Sequence, residues 1–279
     1  MRILCSTGVF TRSSDPLSHE AILRYGPQLA PFAVDGFEVI VYPRWYADLE
    51  QVARALRASG LAFPAIHVEK SVSGVFGSDQ PNEREQGIAR FERNCHFARQ
   101  IGASVAVFHL WELPLSDTRL DANLGLLARC LDIAERHGLE LAIETIPCAS
   151  ADPLTNVQRA IERDARSRIA LDTEFLAMSD QLDVLFDAAW LWRAGLVSHA
   201  HLKDFDGDSP ASERRRFLHP GDGSIDFIRF VRQLQAAGFD GALSLEARGI
   251  DAEGRVEVAR IEASLRLMAG LARESERKL

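Results

Sequence analysis

Six ionisable side chains, His67, His109, Glu144, Asp172, His201 and Glu246, each stand near the end of a short apolar run. An apolar strand rarely carries such a group unpaired, because taking a charge out of water is costly. Six of them at equivalent positions suggest a common polar focus. Carboxylates that converge raise one another's pKa. A divalent cation resolves that conflict, and an imidazole can add a nitrogen ligand. An oxygen-rich set with one nitrogen suits Mn²⁺, Mg²⁺ or Co²⁺, and Zn²⁺ is compatible. Singly, each residue has a plainer reading. A lone His67 or His109 is more often a hydrogen-bonded core histidine, and Glu144 or Asp172 could be a structural ion-pair partner. His199 and His201 lie two apart on one strand, so either could be the inward-facing one.

These residues need elements to bring them together, and the chain alternates in a way that supplies them. Short apolar runs cover Arg2 to Ser6, Gly36 to Tyr42, Phe63 to Val68, Ser104 to Leu110, Leu139 to Thr145, Arg168 to Thr173, Val197 to Lys203 and Ala242 to Ala247. Segments with helical periodicity follow them, from about Ser18 to Phe32, Tyr46 to Ser59, Asn82 to Ile101, Thr118 to His137, Leu154 to Arg163, Leu182 to Arg193, Ile225 to Ala237 and Val256 to Ala272. Ser18 is the expected N-cap of the first, and Gly60, Gly102, Gly138 and Gly238 fall where helices should stop. Strands alternating with helices imply parallel βαβ units. Runs such as Val105 to Phe108 fit strands covered on both faces. Eight units predict an α/β fold, a single (β/α)8 barrel over residues 1–279, in preference to an open doubly wound sheet. In such a barrel, chemistry belongs at the C-terminal ends of the strands.

The 279 residues carry a formal charge of -8, which disfavours nonspecific attraction to nucleic acid or acidic membranes. Arg214, Arg215 and Arg216 form a local basic run, expected as a solvated loop. Cys5, Cys95, Cys130 and Cys148 show no CxxC spacing, so neither a disulfide framework nor a cysteine zinc site is expected. With no secretory signal pattern and no stretch long enough to cross a bilayer, the expected location is the cytoplasm.

At the polar strand ends the sequence resembles the xylose-isomerase-like TIM barrel superfamily, in particular its sugar phosphate isomerase/epimerase group. The carriers are Leu141 to Glu144, Leu171 to Thr173, His199 to Asp204, Pro220 to Asp226, and Gly238 to Gly241 leading into Glu246. The resemblance implies one divalent metal ion, Mn²⁺ first among the possibilities, held by Glu144, Asp172, His201 and Glu246. It prefers His201 over His199 as the ligand. It places Lys203 and Asp204 after that ligand, shaping the site or holding a substrate group. One departure stands out: the family often has D-T-G-H where this chain has Asp172-Thr173-Glu174-Phe175. Phe175 can neither bind a metal nor hydrogen-bond a sugar.

The expected activity is isomerisation or epimerisation of a keto-sugar, keto-inositol or related small polyhydroxy carbonyl compound through an enediolate. Glu144 and Glu246 would serve as paired acid and base. His67, His109, Trp111, Lys203 and Arg248 would contact the substrate, with Trp111 offering a flat face to a sugar ring. The alternatives are a metal-dependent lyase similar to 3-dehydroshikimate dehydratases and, further off, an apurinic-site endonuclease or a non-catalytic barrel. Phe175 and the Arg215-Arg216-Phe217 run depart from the endonuclease ligands. Neither nucleic acid nor membrane is an expected partner, and a homo-oligomer is possible.

Overall fold

The apolar runs become strands because Val, Ile, Leu and Phe at successive positions can be buried on both faces of a parallel sheet. The computed structural model describes residues 1–10, 19–112, 116–193, 195–207 and 216–276. Its strands are β1 (Arg2–Ser6), β2 (Phe37–Ile40), β3 (Ala65–His67), β4 (Val105–Phe108), β5 (Glu140–Glu144), β6 (Arg168–Asp172), β7 (Val197–Leu202) and β8 (Ala242–Leu245). They pair in parallel and in chain order, and β8 returns to β1 to close the barrel. The helices are α1 (Glu20–Leu29), α2 (Leu49–Ala58), α3 (Pro81–Ile101), α4 (Leu120–Arg136), α5 (Pro153–Arg163), α6 (Thr173–Met178), α7 (Phe227–Ala236) and α8 (Val258–Glu276).

Two separate apolar clusters follow from the alternation of side chains along each strand. Leu4, Ala65, Val105, Val107, Ala142, Ala170 and Ala242 form a compact cluster of mostly small residues, all on the inward register of their strands. The larger cluster, with Ile66, Phe108, Ile143, Leu171 and Leu243 among its members, lies between strands and helices. The next inward positions after the small cluster are polar, namely Glu38, His67, Glu144, Asp172, His201 and Ser244. Register sets them close together, since Asp172 pairs with His201 and His201 with Ser244.

The sixth helix differs from expectation. Leu182 to Arg193 does not form a helix; it runs through turns, with a 3₁₀ turn at Leu185–Asp187. The helix starts instead directly after β6, because Asp172 Oδ1 accepts from Phe175 N at 3.1 Å and caps it. Leu185 and Leu191 are buried all the same. Apolar periodicity reports which residues reach the core, and turns can deliver them as well as a helix. Elsewhere the expected helices stand with ends moved by a few residues, and α3 stops at Gly102, whose φ of +86° few other residues adopt. The expected N-cap Ser18 and the basic residues Arg214 and Arg215 lie outside the described residues. Arg216 is exposed and paired with Asp206. No helix of the described residues is long and apolar enough to cross a membrane.

Candidate metal centre

Glu144 ends β5, Asp172 ends β6, His201 lies next to last on β7, and Glu246 follows β8. Their ligand atoms all lie within 4.8 Å of one another. Each is buried, Glu246 least at 8% exposure. His201 Nδ1 is 2.7 Å from Glu144 Oε1, 3.5 Å from Glu246 Oε2 and 3.9 Å from Asp172 Oδ2. Asp172 spends Oδ1 on the cap of α6 and turns Oδ2 to the cluster, where Lys203 Nζ lies 2.6 Å away. The same ammonium donates to Glu246 Oε2 at 2.9 Å and stands 3.6 Å from Glu174. Lys203 is therefore buried inside the cluster, not out in the loop beyond it.

The protonation pattern follows from this crowding. Burial alone would raise the pKa of Glu144, but His201 and His109 outweigh it and hold the carboxyl well below its ordinary range. Burial likewise opposes ionisation of Glu246, and Lys203, Lys70 and His201 overcome it, so its pKa is lowered. Asp172 goes the other way, pushed up to about 7 by burial and then by Glu144 and Glu246, against the pull of Lys203. For His201, burial favours the neutral ring, yet Glu38, Glu144 and Glu246 raise its pKa well above the usual value. His109 is lowered to about 4, chiefly by burial. It is neutral at pH 7.

Three carboxylates and one imidazole in reach of one another form a donor set for a hard divalent ion. Positive charge is what these atoms already gather, since Lys203 bridges two of the carboxylates and His201 lies against all three. The residues present therefore fit a divalent cation. Glu144, Asp172, His201 and Glu246 are the ones that would hold it.

Around this set the other expected residues fall in different places. His67 Nε2 and His109 Nε2 lie 3.1 and 2.6 Å from Glu144 Oε2, so both early histidines serve that carboxylate. Trp111 is fully buried with its indole N–H donated to the Pro147 carbonyl at 3.0 Å, so it shows no face to a ligand in this conformation. Phe175 is buried with Lys203 Nζ 4.4 Å from its ring centre. Asp204 faces away from the cluster. Its carboxylate accepts from the backbone of Phe205, Gly221, Gly223 and Ile225. Gly223 is required there, because a Cβ would lie 2.5 Å from Asp204 Oδ1 and from the Phe205 carbonyl.

A cavity of about 280 Å³ opens beside Glu246, lined in part by Ile40, Tyr42, Lys70, Phe217, Glu246 and Arg248. Arg248 is exposed at its rim with the guanidinium 5.5 Å from the Phe217 ring centre. Lys70 donates to Glu246 Oε1 at 3.2 Å. Lys70 and Glu38 were not visible as site residues in the sequence. Both His199 and His201 turn inward, at different depths: His201 reaches the cluster, whereas His199 Nε2 reaches Glu38 at 3.0 Å.

A closed (β/α)8 barrel with buried acids and imidazoles at the C-terminal strand ends is the class this architecture defines. The chain matches the xylose isomerase-like TIM barrel family over residues 28–269 and belongs to it. Its fold is similar to that of a D-tagatose 3-epimerase-like protein, at TM-score 0.72 and 18% identity, covering 100% of this chain and 99% of the other. An L-ribulose 3-epimerase compares at TM-score 0.74 and 18% identity, covering 99% and 96%. The 3-keto-D-glucoside 4-epimerase YcjR from E. coli compares at TM-score 0.70 and 20% identity, covering 97% and 99%. These likenesses establish the fold. In sequence, the uncharacterized protein MJ1311 of Methanocaldococcus jannaschii is 24% identical over 208 residues, 66% of each chain.

Proposed function

We propose that the chain is a divalent-metal-dependent enzyme that epimerises or isomerises a small keto-sugar, keto-inositol or related polyhydroxy carbonyl compound. The observation that carries this reading is the convergence of Glu144, Asp172, His201 and Glu246 to within 4.8 Å, beside a cavity that Glu246 lines. That similarly folded barrels include sugar epimerases agrees with it. A divalent cation, Mn²⁺ first and Mg²⁺, Co²⁺ or Zn²⁺ as alternatives, would polarise a substrate carbonyl and its neighbouring hydroxyl, acidifying the adjacent C–H.

The protein's own part is proton movement and orientation. Glu144 and Glu246 are both ionised at neutral pH, so either can accept the proton from the carbon next to the carbonyl. The carbon's electron pair moves into the C–C bond to form an enediolate. The other glutamate takes a proton from solvent before it acts as the acid and returns that proton to carbon. Return to the opposite face of the same carbon gives the epimer; return to the neighbouring carbon, with the hydroxyl proton passing to the former carbonyl oxygen, gives the isomer. Lys70 and Arg248 border the cavity and would hold oxygens at the far end of the substrate.

The test is solvent deuterium uptake by a panel of ketoses and keto-inositols with the Mn²⁺-loaded chain. Label should enter at the carbon next to the carbonyl, and Glu144→Gln and Glu246→Gln should each slow exchange by roughly a hundredfold or more. Unchanged exchange in both variants, or none with any metal and any substrate, would overturn the reading.

A further inference from the structure

His201 is engaged through both ring nitrogens, and the two sides meet different partners. Nδ1 faces Glu144, Glu246 and Asp172, whereas Nε2 lies 3.0 Å from both carboxylate oxygens of Glu38 across the ring. We propose that Glu38 is a positioning residue for the metal centre, accepting the Nε2–H of His201 so that the Nδ1 lone pair is directed at the cation. This rests on reading Glu144, Asp172, His201 and Glu246 as the metal site.

The chemistry of the partners fixes the direction of each bond. A carboxylate can only accept, so the nitrogen facing Glu38 carries the hydrogen. In the metal-free protein Nδ1 also faces a carboxylate, 2.7 Å from Glu144 Oε1, so both nitrogens donate. A cation at the four donors would displace the Nδ1 hydrogen, while Glu38 keeps the one on Nε2. An outer carboxylate bonded to a ligating histidine also makes the ring a stronger donor and stops it from rotating. Glu38 cannot share the ion, because the imidazole ring stands between it and the other donors.

Glu38 is in turn held in place by residues that do nothing else in the site. Ser244 Oγ donates to Glu38 Oε2 at 2.7 Å, and His199 Nε2 donates to the same oxygen at 3.0 Å. His199 Nδ1 has no hydrogen-bond partner among the described residues, so its one engaged nitrogen is spent on Glu38. Glu38, His199, His201 and Ser244 are all fully buried, which shields these bonds from bulk solvent. Strands β2, β7 and β8 thus build a rigid seat behind one ligand. A buried carboxylate with three donors has a fixed orientation to impose.

Calorimetric titration of the full chain with Mn²⁺ and Zn²⁺ tests this, using wild type, Glu38→Gln and Ser244→Ala. Glu38→Gln should weaken binding roughly ten- to a hundredfold while the ion stays at the same four residues. Ser244→Ala, which keeps the carboxylate, should weaken it less. A second measurement needs no variant: nitrogen-15 imidazole spectra of the wild-type Zn²⁺ form should show His201 protonated at Nε2 and metal-bound at Nδ1. A folded Glu38→Gln that binds as tightly as wild type would overturn the proposal. So would a bare Nε2 in the wild-type spectrum, or an ion seated between Glu38, His199 and His201. A wild-type chain that takes up no ion would remove the metal reading and this proposal together, whereas wild-type binding untouched by Glu38→Gln removes this proposal alone.

Discussion

The two halves of the barrel mouth supply different things. Strands β5 to β8 bring Glu144, Asp172, His201 and Glu246 to within 4.8 Å of one another. Strands β2 to β4 and the residue after β4 bring Glu38, His67 and His109, which reach across to bond Glu144 and His201. One half concentrates charge, and the other fixes how that charge is presented. A set of close carboxylates has no preferred geometry of its own, because each repels the next. Hydrogen bonds from a second layer of residues choose one arrangement, at the cost of burying more polar groups that must all be satisfied.

The largest way to probe this difference is pH. In the metal-free protein Asp172, pushed up to about 7, and His201, raised well above its usual value, both hold protons at mildly acidic pH. An ion needs their lone pairs, so binding must release those protons. Because the raised pKa belongs to the metal-free state, affinity strengthens as pH rises. Titrations should show a gain of up to about a hundredfold per pH unit below pH 7, falling to about tenfold per unit above it once Asp172 has ionised. His109 should not contribute, since, lowered to about 4, it is already neutral throughout that range. An affinity flat between about pH 6 and 8 would mean that these two groups do not bind the ion.

What the sequence revealed follows the same division. The donors and the two early histidines were legible because an apolar strand has few reasons to end in a charge, and six strands do so. Glu38 was not, since it sits within its strand and its partners lie 161 to 206 residues away. Nothing local distinguishes it from a solvated glutamate. Lys70 reads as an ordinary loop lysine, and only the fold sets it against Glu246. Trp111 was expected at the substrate, but its indole lies in the core; aromatic identity alone does not say which side of a strand end faces the mouth. The short α6 was missed for a related reason. Asp172 was recognised for its charge, while its second oxygen caps a helix, and a single residue letter cannot announce two roles.

Removing one support at a time sharpens the comparison further. His67→Ala and His109→Ala each delete one contact to Glu144 Oε2 and leave all four donors in place. Each should weaken metal binding by roughly tenfold, the lower end of what outer partners of a ligand contribute. The measurement is the binding isotherm of each variant beside its melting temperature. Loss of all measurable metal binding in either variant would erase the distinction between the halves and make the histidines ligands in their own right.

The smallest expected effect is the control that gives those losses meaning. Asp226 caps α7, its carboxylate accepting from Arg229 N at 2.9 Å, on an exposed turn away from the cluster. Asp226→Ala removes that bond and should lower stability by about 1 kcal/mol, read from denaturant unfolding. Any fall in metal affinity beyond that of wild type would show that binding tracks global stability, since Asp226 touches none of the four donors. In that case the weakening in the histidine variants would reflect a looser barrel, not a misdirected Glu144. An unchanged isotherm in Asp226→Ala, with reduced affinity in His109→Ala of equal or greater stability, assigns the effect to orientation. The contrast depends on matching the two variants by their unfolding free energy, because only then does the site differ while the fold does not.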